Sequence, residues 1–282
     1  MNIKMTPMLL VLICHVPAGL LLTGGLISTA ESAEPDDKPT SSPDSGGGSN
    51  TGWTEQQQAE LKSRLQNQLV GLPTPEPGQP DALQIHSRRG DVLFFLGKFK
   101  ESVSEYRAMV RIDPSTDTSH WRLGIALFYA GEPQQAAEQF RRYHSFDSVD
   151  RENGIWRYLS QYRSAGADTA AKELLKYEKD DREPFPAVYR MFDGKLTPQQ
   201  ALTSIPADLP ETERDKRLFY TELYIGLHLV VQQKSQQALP WLDQAVSRQW
   251  PRTAGYGPNY MWHVARLQHR LLLQQQQQQQ TH

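Results

Sequence analysis

A glycine spacing that recurs at a fixed interval constrains this chain more than any other feature. Gly90 is followed by Gly97 and Gly124 by Gly131, and the two pairs stand 34 residues apart. Downstream the echo continues at the same offset, in Ser102 and Ala136, Tyr106 and Phe140, Met109 and Tyr143, with Ile112-Asp113-Pro114 closing the first unit. The physical reading is steric. Two antiparallel helices approach closely only where a side chain is missing at their crossing, as at Gly90 and Gly124. A second glycine then ends the first helix in a left-handed turn. Two helices repeated every 34 residues predict an all-α chain of stacked helix-turn-helix units wound into a right-handed solenoid. Stacks of this kind offer binding surface rather than a chemical centre.

The pattern, with its small and aromatic positions, is that of the tetratricopeptide repeat. It predicts units over about 83–116 and 117–150, with Trp121, Gly131, Ala136, Ala137 and Phe140 in register in the second. A third unit is degenerate, with Leu159 in place of the first glycine, and Pro184-Phe185-Pro186 interrupts the array. A shorter pair follows, and then a good one in which Gly226, Ala238, Leu242 and Ala245 hold the repeat positions and Gln233 replaces the turn glycine. Met261 to Leu273 reads as an amphipathic helix capping the open end. The solenoid is thus expected over 82–273, with Gly90, Gly124, Ala136 and Gly226 buried at helix crossings and a disordered glutamine-rich tail over 274–282.

Ahead of the repeats, Lys4, the apolar run from Met8 to Cys14 and Leu20-Leu21-Leu22 precede Ser28-Thr29-Ala30, where a signal peptidase could cut. A cleaved secretory signal over 1–30 is expected, the alternative being an uncleaved N-terminal membrane anchor. Residues 31–53, rich in Pro, Asp, Ser and Gly, read as a disordered tether. Residues 54–81 read as a polar helix capped by Thr54, followed by a Pro-rich linker. The one cysteine, Cys14, lies in the apolar run, which removes disulfide and thiolate-metal chemistry from the body of the chain. A large residue stands before it, where a lipoprotein signal needs a small one. A net charge of −2 argues against nucleic-acid binding.

The first helix of each unit should line a concave groove. Its positions hold Ser87, Asp91, Phe94 and Phe95, then Trp121, Ile125, Phe128 and Tyr129, then Asn153, Trp156, Ser160 and Arg163. Phe94, Trp121, Phe128 and Tyr129 are candidate anchors for a partner segment, set against the alternative that they pack internally. Arg88, Arg122 and Arg157 share one repeat position and would form a guanidinium ladder able to grip carboxylates. The alternative is local pairing with acids such as Asp91 or Glu152. His86 and His120, also in register, are expected to pack rather than bind metal. No phosphate loop, nucleophile elbow or zinc-protease helix occurs, and Lys179 to Glu183 reads as a solvated loop. No cofactor is implied, and no enzymatic activity is expected. The competing enzyme reading would rest on the scattered Asp91, Glu222 and His228, and a third reading is a structural or assembly component of the envelope.

The blocks Leu123-Gly124-Ile125-Ala126-Leu127-Phe128-Tyr129-Ala130-Gly131 and Trp156-Arg157-Tyr158-Leu159-Ser160, with the order of units from Gly90 to about Leu273, carry a resemblance to the bacterial periplasmic lipoproteins of the NlpI type. It covers roughly two-thirds of the chain and consists mostly of packing residues. It implies an exported, non-enzymatic adaptor, dimeric in known members, that gathers murein endopeptidases and a tail-specific protease. This chain departs from the family in lacking a convincing lipobox and in its own tether and glutamine tail.

Overall fold

A computed structural model of the chain describes residues 53–76 and 78–280. The expected signal and nearly all of the tether lie outside the described residues, as do the last two residues of the tail. The chain divides into two units, 1–48 and 49–282, and all the described residues belong to the second. Among the described residues are thirteen α-helices and one 3-10 turn, with no strand, so the described part of the chain is all-α.

Helix α1 (Glu55–Gly71) opens on a capping box: the Thr54 hydroxyl accepts from the Gln57 N–H, and the Gln57 side chain accepts from the Thr54 N–H. Helices then pack in consecutive pairs. These are α2 (Ala82–Phe95) with α3 (Phe99–Ile112), α4 (Trp121–Tyr129) with α5 (Pro133–Phe146), and α6 (Arg151–Ala165) with the short α7 (Ala167–Lys172). Next come α8 (Phe185–Phe192) with α9 (Pro198–Thr203) and α10 (Glu211–Val231) with α11 (Ser235–Ser247). A single turn, α12 (Trp250–Thr253), leads into the long final helix α13 (Tyr256–Gln280).

The glycines do what their spacing predicts. A Cβ on Gly124 would stand 2.5 Å from the Phe140 ring, one on Gly226 would stand 2.7 Å from Leu242, and Gly90 sits as tightly against Tyr106. In each case the facing side chain lies sixteen positions after the glycine. Gly97 (φ +79°) and Gly131 (φ +83°) close their pairs in the left-handed region, and Gln233 adopts φ 60° in place of the missing turn glycine. The side chains brought together this way form one continuous core in which Tyr106, Phe140 and Leu242 are fully buried.

Helix α13 packs against α11 and α12 and also reaches α2, near the opposite end of the sequence. Phe94 stacks on Tyr260 with ring centroids 5.0 Å apart, and Phe95 stacks on His263 at 3.8 Å. The expected capping helix is therefore present but longer at both ends, and it is clasped by the first pair rather than confined to the last. It runs on through the glutamines to Gln280, which corrects the expectation of disorder there. A helix already nucleated extends at little cost, and glutamine is a good helix former.

Candidate functional site

The groove positions read from the repeat register divide into two groups. Those of the first pair face α13 or the polar network built around it. Phe94 is fully buried under Tyr260, and Phe95 covers His263. Asp91 accepts from the Tyr256 hydroxyl at 2.8 Å, from Tyr106 at 2.6 Å and from Arg122 at 2.7 Å. Arg122 also donates to Ser87 and to Tyr256. The chain's own last helix thus occupies the part of the groove expected to be open.

Several anchor assignments need correction on this account. Phe94 and Phe128 are 0% and 1% exposed, so neither presents a surface to a partner. Tyr129 lies stacked on Phe99 with its hydroxyl buried and unpartnered. Nor do the arginines form a ladder. Arg122 is drawn into the Asp91 network: burial opposes its charge, while Asp91 and the neighbouring tyrosines hold it protonated. Arg157 donates to the backbone and carboxylate of Glu173, and Arg88 is exposed without an ion pair among the described residues. Local acids claim the guanidinium groups of Arg122 and Arg157, in line with the alternative to a ladder.

The second and third pairs retain a hollow. A cavity of about 470 Å³ is lined by Trp121 and Ile125 of α4, Phe140 and Tyr143 of α5, and Glu152, Asn153 and Trp156 of α6. Its far wall is Lys216 and Tyr220 of α10, Trp250 of α12 and Met261 of α13, and Asp147, Asp150 and Arg182 stand at its polar edge. Four of the lining residues, Trp121, Ile125, Asn153 and Trp156, are groove positions read from sequence. Trp121 is held edge-on to Tyr260 at 4.9 Å and only partly buried, which leaves indole surface on the cavity side. Volumes of this order suit one or two large side chains or a small organic group.

The polar edge is internally balanced. Asp150 caps α6 by accepting from the Glu152 N–H at 3.0 Å. Arg182 reaches back to Glu152 at 2.6 Å and to Asp181 at 3.1 Å, with its guanidinium over the Phe185 ring, so the supposed solvated loop is tied down. The remaining Glu152 oxygen accepts from the Tyr224 hydroxyl. Burial pushes the Glu152 carboxyl up to about 7, against the pull of Arg182 and with Asp150 adding to the rise. Burial likewise raises Asp150, again opposed by Arg182.

No family model matches the chain.

The lining combines indole and phenyl surface with a charged edge. Both oxygens of Glu152 are engaged, one by Arg182 and one by Tyr224, so this carboxyl has no lone oxygen aimed at a reacting group. Asp91, Glu222 and His228 are absent from the cavity lining. Each has separate partners: Asp91 the tyrosine network, Glu222 a two-pronged contact with Arg248, and His228 the rings of Phe192 and Tyr158. His120 is buried and caps α4 by accepting from the Leu123 N–H, while His86 meets Glu105 at 2.6 Å. Among the described residues no group of three or more His, Cys, Asp or Glu is placed to hold a metal ion. No described helix is long and apolar enough to cross a membrane.

The repeat register leaves out Asp147, Asp150, Arg182, Tyr220 and Trp250. The only hint of the first two is their crowding just before α6, an N-cap signature. Nothing local marks Arg182 or Trp250, whose approach depends on how later helices fold back.

Proposed function

We infer that the chain is a tetratricopeptide-like adaptor, a non-enzymatic scaffold whose helix pairs continue as a right-handed superhelix closed on itself by α13. The 34-residue register, the crossing glycines and the left-handed turns support the repeat assignment. The observation that carries the binding role is the cavity. Groove positions from two successive pairs converge on a space walled by Trp121, Trp156 and Trp250, with a charged edge. An extended segment of a partner protein, anchored by one bulky apolar side chain, would fill it. The likeness to the NlpI type and the signal-like N-terminus support an exported, periplasmic setting, with murein hydrolases or a tail-specific protease as partners and a homodimer as the assembly. An envelope structural role is the runner-up, since the same surfaces could serve assembly.

Affinity capture on the full chain from envelope extracts tests the reading, comparing the native protein with Trp121→Ala. An anchor of this kind contributes about 2 kcal/mol at an interface, which converts to roughly thirtyfold in affinity. A hydrolase or protease retained by the native chain should be lost from the variant while circular dichroism stays unchanged. Equal retention by a folded variant would place the interface elsewhere.

A further inference from the structure

A second, smaller cavity of about 150 Å³ lies where α1 docks against α2 and α13, away from the aromatic one. Its lining includes three cations, Lys62 of α1 and Arg266 and Arg270 of α13, and no acidic residue. None of the three makes an ion pair among the described residues, and the nearby Arg252 makes none either. Arg266 is partly buried and spends two of its N–H groups on neutral acceptors, His263 Nδ1 at 2.7 Å and the Phe95 carbonyl at 2.5 Å. Arg270 makes no hydrogen bond among the described residues, and its Nε is buried without a partner. It can lie there because residue 97 is glycine: a Cβ at that position would stand 2.7 Å from Arg270 Nη2. Burial and, for Arg266, the adjacent Arg270 charge hold both groups below ordinary arginine basicity, Arg266 at about 9.

Arg266 and Arg270 are drawn partly out of water without a counter-charge, which is costly, and folded proteins pair such groups; Lys62 stands exposed beside them. We propose that Lys62, Arg266 and Arg270 form a binding site for a compact oxyanion, a carboxylate or a phosphate group, which supplies the missing negative charge between α1 and α13. The guanidinium of Arg270 offers its whole fork, matched in geometry to two oxygens of such a group, and Lys62 adds a mobile third contact. The volume admits the anionic group itself and excludes a nucleotide. Binding there would clamp α1 onto the C-terminal helix. This goes beyond the adaptor reading, because it neither uses nor requires the aromatic cavity.

The test is a titration of the full chain with inorganic phosphate and, separately, with acetate, at ionic strength matched by sodium chloride, read by calorimetry and by the melting temperature. Saturable binding of either anion, with a rise in melting temperature that chloride does not reproduce, is the expected result. Phosphate alone would mark a tetrahedral ligand, and acetate binding equally well would mark a carboxylate. Arg270→Gln should weaken that binding at least tenfold, and Lys62→Gln should weaken it less. Since Arg270 makes no hydrogen bond in the described fold, its variant should melt no lower than the native chain in chloride alone, and lower in saturating phosphate or acetate. That crossover separates a ligand site from a structural role. Identical responses to phosphate, acetate and chloride, or an unaltered response in Arg270→Gln, would overturn the proposal.

Discussion

Replacing Gly124 with alanine adds a single methyl group at the point where α4 crosses α5. In an unconstrained helix that change is favourable by about 1 kcal/mol, because glycine carries extra backbone entropy. Here the new Cβ would stand 2.5, 2.8 and 2.9 Å from three atoms of the Phe140 ring, against the 3.5–4.0 Å at which carbon atoms rest. The ring would have to retreat by about 1 Å. It has nowhere to go, being fully buried and stacked on Trp156 with centroids 6.1 Å apart. Overpacking of this sort costs about 1–3 kcal/mol, and the misfit here lies toward the upper end. The net expectation is a loss of about 1–2 kcal/mol, or a fall in melting temperature of about 2–8 °C for a domain of this size. The control is Gly71→Ala, at the end of α1, where nothing lies within 4 Å of the added methyl and the change should be neutral or mildly stabilising. The double variant Gly124→Ala with Phe140→Leu should lose less than the two single losses together, because the smaller side chain vacates the space the methyl needs. Urea unfolding followed by circular dichroism reads all four. If Gly124→Ala matches the native chain while Gly71→Ala behaves as described, the close crossing does not exist and the 34-residue register has been misread.

Two further expectations concern buried charge. Asp91→Ala would leave Arg122, whose side chain is 16% exposed, without its counter-ion and strip Tyr106 and Tyr256 of their acceptor, at a cost of about 3–5 kcal/mol. The paired change Asp91→Leu with Arg122→Met should cost less in urea unfolding than Asp91→Ala alone, and the reverse order would show that the network is not the clasp holding α13. Glu152, raised from an ordinary 4.5 to about 7, takes up its proton more readily when folded than when unfolded. Its contribution therefore favours the fold at low pH and declines as pH rises from about 4.5 through 7, by roughly 3 kcal/mol at 1.36 kcal/mol per pH unit. Melting curves at pH 5 and pH 8 should differ less for Glu152→Gln than for the native chain; an undiminished slope would exclude Glu152 as its source.

The helix pairs, their turns and their crossings are legible in the amino-acid sequence because they depend on short separations. Gly90, Gly124 and Gly226 each meet a side chain sixteen positions on, and Gly97 and Gly131 set their own backbone, so the pattern and the contact coincide. The apolar face of each helix is legible for the same reason: its period follows from 3.6 residues per turn. What covers that face is not. Many apolar helix faces in this chain are interchangeable by composition, and only the path of the whole chain selected α13 to lie over Phe94 and Phe95. Tyr256 meets Asp91 across 165 positions, and Arg182 finds Glu152 across 30. The uncompensated Arg266 and Arg270 are just as invisible in sequence, since an arginine's missing partner is a fact about everything that packs around it. Local sterics therefore determined the helix pairs and their crossings, while tertiary packing decided which surfaces remain open and which charges are neutralised.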